Sequence, residues 1–93
     1  MANEIVERLG AYETPTETEA LEVAAGLLVF YGPVPDQEFV AWLEGALPPL
    51  HEHLRARFHL TTAQLAGRTR RLRRRIEMYR REAARQAIPA RGA

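Results

Sequence analysis

The chain contains no cysteine, no lysine and no serine. Without cysteine there are no disulfides, no thiol catalysis and no cysteine-ligated zinc. Without serine there is no serine nucleophile. Long hydrophobic runs are missing too: nothing approaches the roughly 18 consecutive apolar residues that a membrane-spanning helix needs. The segment Met1–Leu9 carries Glu4 and Glu7 and lacks the apolar centre of a signal peptide. A cytoplasmic protein with no membrane contact is expected. No glycine-rich phosphate loop is present and the carboxylates form no acid–base pattern, so an enzyme is not expected and no cofactor is implied.

What remains is 93 residues, 46% hydrophobic and 27% charged, which is ordinary globular composition and enough for one domain. All 13 basic residues are arginine. Arginine keeps its charge and presents a flat fork of donors suited to phosphate or carboxylate. A GC-rich coding sequence accounts for the choice of arginine over lysine, but not for where the arginines sit. Residues 1–53 hold ten acids and a single base, Arg8, whereas residues 54–93 hold twelve arginines and two glutamates. A formal net charge of +1 therefore hides a strong asymmetry along the chain. Two uses fit it: nucleic-acid binding by the basic half, or pairing of that half with the acidic half of the same or another subunit.

The pattern is all-α, with three to four helices. Residues 1–15 read as a flexible arm with at most a helical turn over Ile5–Leu9, because Gly10 and Pro15 interrupt it. A single helical domain is expected over residues 16–87. Thr16 with Glu19 three residues on has capping-box spacing. Leu21, Ala24, Ala25, Leu28 and Tyr31 continue at helical steps until Gly32 and Pro33. Asp36 opens a second helix with Phe39, Val40, Leu43, Ala46 and Leu47, and Trp42 at its side. Pro48 and Pro49 are expected to break or kink the chain before a short helix through Leu50, Leu54 and Phe58. Thr61 and Gln64 repeat the capping-box spacing, and a long last helix follows as far as Ala87. Residues 88–93 are expected to be a disordered tail.

The last helix carries the chemistry. Arg68, Arg70, Arg71, Arg73, Arg74 and Arg75 place six guanidiniums in eight residues. Arg68, Arg71 and Arg75 share one side of a helix, and Arg70, Arg73 and Arg74 cover the neighbouring side. Like charges this dense repel by roughly 0.2–0.5 kcal/mol per facing pair, so a counter-charge is expected. Phosphates supply one, and a helix fits the major groove of duplex DNA. Thr62 and Gln64 at the helix start are candidate phosphate or base contacts. Leu72, Ile76, Tyr79 and Ala83 form an apolar seam for a homo-oligomer or for packing on the first helix. His51, His53 and His59 have no metal-ligand spacing, and no metal site is expected.

The stretch ALEVAAGLLVFYGPVPDQEFVAWLEG, followed by LTTAQLAGRTRRLRRRIEMYRR, resembles small winged-helix or helix-turn-helix DNA-binding regulators of phage or actinobacterial type. The resemblance implies duplex-DNA binding through the third helix, with Arg68, Arg70, Arg71, Arg74 and Arg75 as contacts and a role in transcription regulation. No hairpin wing with a turn signal follows that helix. The alternative expectation is a self-assembling structural or adaptor protein of phage-accessory type. In it, Glu13, Glu17, Glu19 and Glu22 of one subunit meet the arginine helix of a neighbour or of a protein partner.

Overall fold

A computed structural model of the chain describes the backbone from Asn3 to Gly92 and the side chains from Glu4 to Arg85. Four helices follow one another: α1 (Asn3–Gly10), α2 (Glu17–Tyr31), α3 (Asp36–Phe58) and α4 (Thr62–Gly92). The domain is all-α. At 1.5 Å per residue the 31 residues of α4 measure about 46 Å. That nearly equals the long axis of the molecule, whose extents are 48 × 25 × 23 Å.

Residues 1–15, expected as an arm, contribute a helix. Ile5 and Leu9, one turn apart on α1, are both fully buried against α2 and α3. Behind α1 the chain is pinned by Thr14, which is buried and accepts hydrogen bonds from Arg57 of α3 at both its hydroxyl (2.8 Å) and its carbonyl. The backbone of α4 is helical through Gly92, across the segment expected as a tail. Ala93 lies outside the described residues.

The start of α2 is a complete capping box: Thr16 accepts from the Glu19 amide, and the Glu19 carboxylate accepts from the Thr16 amide. Its core face carries Ala20, Leu21, Ala24, Ala25, Leu27 and Leu28. It ends at Gly32, whose backbone is extended rather than left-handed. Glycine is required there by proximity: a Cβ at Gly32 would stand 2.6 Å from the Phe39 ring and 2.7 Å from the Leu28 carbonyl oxygen.

The break expected at Pro48–Pro49 does not occur. One continuous helix of 23 residues, α3, runs through both prolines. The lost N–H groups would have served the carbonyls of Glu44 and Gly45, four residues back. Both residues lie on the exposed side of the helix, where an unpaired carbonyl costs less than it would in the core. Leu43, Leu47, Leu50 and Leu54 are all buried on either side of the prolines, and their packing outweighs the missing bonds. Trp42 is half-buried beside Phe39, with ring centres 5.7 Å apart. The helix closes at His59, which holds a left-handed conformation (φ 56°, ψ 48°), while the Leu60 amide reaches back to the Arg55 carbonyl at 3.1 Å. Three residues later α4 begins.

Candidate nucleic-acid interface

Thr61 sets the start of α4. Its amide donates to the Gln64 side chain (2.9 Å) and its hydroxyl accepts from the Gln64 amide (3.1 Å). Gln64 is thus engaged in the cap, and Thr62 is exposed on the first turn. From there α4 lies mainly on α2 and only lightly on α3. The inward line runs through Leu65, Thr69, Leu72, Ile76 and Tyr79. Leu72 and Ile76 are buried in the chain's own core, so these two residues of the expected seam pack within the chain, the second of the two arrangements expected for them. The Tyr79 hydroxyl donates to Glu22 of α2. That bond, then burial, raises the Tyr79 pKa above its ordinary value. Ala83 is exposed beyond the body.

This packing divides the arginines into two sets. Arg68 and Arg75 flank the inward line on the α2 side. Arg68 pairs with Glu17 at 2.5 Å, and Arg75 pairs with Glu22. The hydrogen bond to Glu17, and then its charge, holds the Arg68 proton more tightly than usual. Arg80, on the opposite flank, pairs with Asp36 at 2.6 Å and donates to the carbonyls of Val34 and Pro33. Acids of the N-terminal half therefore neutralise three arginines of α4 within one chain.

Arg70, Arg71, Arg73 and Arg74 form the second set. All four are exposed. Among the described residues none of them has an ion-pair partner. No family model, curated protein or solved structure matches the chain. What this helix can do follows from its own geometry. At 100° per residue, Arg70 and Arg74 share the ridge opposite the core, with Arg81 and Arg85 further along it. Arg71, Arg74, Arg75, Glu77, Met78 and Arg81 also line one wall of an open groove of about 590 Å³, whose other wall is Thr18, Leu21 and Glu22 of α2. Arg81 is engaged only loosely, by Glu77 at 3.7 Å on an exposed turn. Its place in the groove is legible in the sequence as the 3-4-3 spacing of residues 71, 74, 78 and 81.

The histidines stand apart from this ridge. His51 of α3 meets Thr69 of α4 at 3.1 Å, and the Thr69 hydroxyl points to the Leu65 carbonyl at 2.9 Å. Since that hydroxyl has one proton, the His51 Nε2 carries the hydrogen between them. Burial, and then the charge of Arg73, lowers the His51 pKa below 6.5. The buried Nε2 of His53 has no hydrogen-bond partner among the described residues. His59 is exposed at the α3–α4 turn. No helix among the described residues is long and apolar enough to cross a membrane.

Proposed function

We propose that this chain is a small, non-enzymatic DNA-binding protein, regulatory or architectural, that works in the cytoplasm. It grips duplex DNA with the outward ridge of α4. The observation that carries the reading is the division of the arginines: Arg68, Arg75 and Arg80 are ion-paired within the fold, while Arg70, Arg71, Arg73 and Arg74 are exposed and have no ion-pair partner among the described residues. Four guanidiniums on about one and a half turns repel one another, and phosphates relieve that repulsion. An α-helix about 10–12 Å across with its side chains fits a major groove of about 12 Å. The Arg70–Arg85 ridge lacks aromatic side chains, which leaves no stacking platform for single-stranded bases. In the helix-turn-helix likeness, α4 takes the place of the recognition helix, with Thr62 at its exposed start.

The other expectation, assembly through acid–arginine pairing between copies, has fewer acids to draw on, because Glu17, Glu22 and Asp36 are engaged within the chain. Duplex binding measured against salt concentration tests the DNA reading. Binding should fall steeply as salt rises, with duplex preferred over single strand. A folded protein that does not bind duplex at low salt overturns it.

A further inference from the structure

The outward line of α4 changes abruptly in side-chain size. Ala63 and Gly67 come first, and Arg70 and Arg74 follow. Glycine inside a helix lowers stability relative to alanine, so Gly67 calls for a reason. The fold supplies none. Its backbone is not left-handed. A Cβ built there would meet only the Arg70 Nη2 at 3.9 Å, an ordinary contact with the tip of a flexible side chain. Gly26 and Gly45 are as open, so space alone assigns nothing. Gly67 differs from them in its neighbours. Arg70 and Arg71 stand three and four residues on, and Arg74 stands seven on, all on the face of the helix that Gly67 occupies. Long side chains on a helix lean towards its N-terminus and cover the preceding turn. For Arg70 and Arg71 the preceding turn contains Gly67, and the Arg70 guanidinium reaches back over it. All three arginines are exposed and have no ion-pair partner among the described residues.

We propose that Gly67 is the floor of a phosphate site, with Arg70 and Arg71 as its walls and Arg74 closing its C-terminal end. The missing side chain lets an oxyanion settle against the helix between guanidiniums, within reach of their charge-assisted hydrogen bonds. A side chain at this position holds the phosphate further out. The identity of the occupant rests on the DNA reading: it is a phosphodiester of the duplex, and the small side chains of Ala63 and Gly67 let the strand pass close to the first turns of α4. Gly67 is thus a positioning residue, which sets how near the strand comes to the arginines.

Gly67→Leu tests the site, with Gly45→Leu on α3 as its control. Leucine favours a helix over glycine and both positions have room, so each variant should raise the thermal midpoint by about 4 °C. Duplex binding at low salt should weaken about tenfold in Gly67→Leu and keep its wild-type strength in Gly45→Leu. A gain in stability together with a loss of binding is what a purely structural glycine does not give. A Gly67→Leu variant that binds duplex as tightly as the wild type overturns the proposal, and so does an equal loss in the two variants. If the wild type itself does not bind duplex, the DNA reading falls, and inorganic phosphate decides the site without it. Thermal midpoints are then compared in sodium phosphate and sodium chloride at equal ionic strength. Phosphate stabilises folded proteins generally, so the quantity read is the difference between variants. A gain that is smaller in Gly67→Leu than in both the wild type and Gly45→Leu upholds the phosphate site, and equal gains in all three overturn it.

Discussion

The Arg80 guanidinium stands 4.0 Å from the centre of the Phe39 ring. From that position it donates to the Val34 carbonyl at 3.0 Å and the Pro33 carbonyl at 3.3 Å, and meets Asp36 at 2.6 Å. One side chain of α4 thus closes the turn between α2 and α3. Its value lies in the ring and the carbonyls, because the Asp36 side chain is 95% exposed and its charge is screened. Arg80→Ala should lower the unfolding free energy by about 2 kcal/mol, from the lost cation–π contact and charged hydrogen bonds. Asp36→Asn should cost only about 0.5 kcal/mol. Urea unfolding of the two variants checks the order, and equal losses would contradict it.

Gly32 sits under the same ring. Because its backbone is extended, alanine is not excluded by conformation; it is excluded by Phe39 and the Leu28 carbonyl. Gly32→Ala should destabilise the protein by about 1–3 kcal/mol, the usual range for overpacking. The companion change Phe39→Leu should recover part of that loss when added to Gly32→Ala, although it is destabilising alone. Additive losses in the double variant would place the strain on the carbonyl instead of the ring.

His51 gives the fold a pH dependence whose sign follows from its environment. Burial, with Arg73 adding to it, lowers its folded pKa below the ordinary 6.5. Above 6.5 both folded and unfolded chains hold it neutral, and its contribution is fully present. As pH falls below 6.5 the unfolded chain takes up a proton first, and stability declines until the folded pKa is passed. Thermal unfolding from pH 8 to pH 5 (about the range of histidine titration) should show a falling midpoint in the wild type. His51→Gln, which keeps a donor for Thr69, should flatten that fall. An unchanged slope in the variant would assign the effect to other groups.

Much of this architecture is legible in the sequence, and the exceptions have physical causes. Both capping boxes, Thr16–Glu19 and Thr61–Gln64, form where their spacing places them, because they need only local geometry. The stop at Gly32 is also local. Pro48 and Pro49 do not end α3, because the burial of leucines on both sides outweighs the two lost backbone hydrogen bonds. Ile5 and Leu9 are less legible, because two apolar residues one turn apart are too few to mark a helix until α2 and α3 supply a surface for them. The arginine run is plain in the sequence, yet the division within it is not. Glu17 and Arg68 are separated by 51 residues, and only the packing of α4 on α2 brings them together.

Arg70 and Arg74 point away from the core on one ridge, while Arg75 is tied to Glu22, which also receives the Tyr79 hydroxyl. Neutralising the first two should leave the fold intact and weaken DNA binding. Each phosphate contact contributes about 0.9 to the slope of log affinity against log salt, so Arg70→Ala with Arg74→Ala should lower that slope by nearly 2. The thermal midpoint should stay close to the wild-type value, because removing unpaired exposed charges relieves repulsion. Arg75→Ala should do the reverse: a half-buried Glu22 loses its cationic partner, stability falls by about 1 kcal/mol, and the salt slope of the folded protein is unchanged. Titrating labelled duplex at several salt concentrations, beside thermal unfolding of the same samples, reads both quantities. If Arg75→Ala lowers the slope as much as either ridge variant does, then the ion pair with Glu22 opens on DNA, and the contact surface includes the α2 side of the helix. If the ridge variants leave the slope unchanged, the outward face of α4 does not meet phosphate.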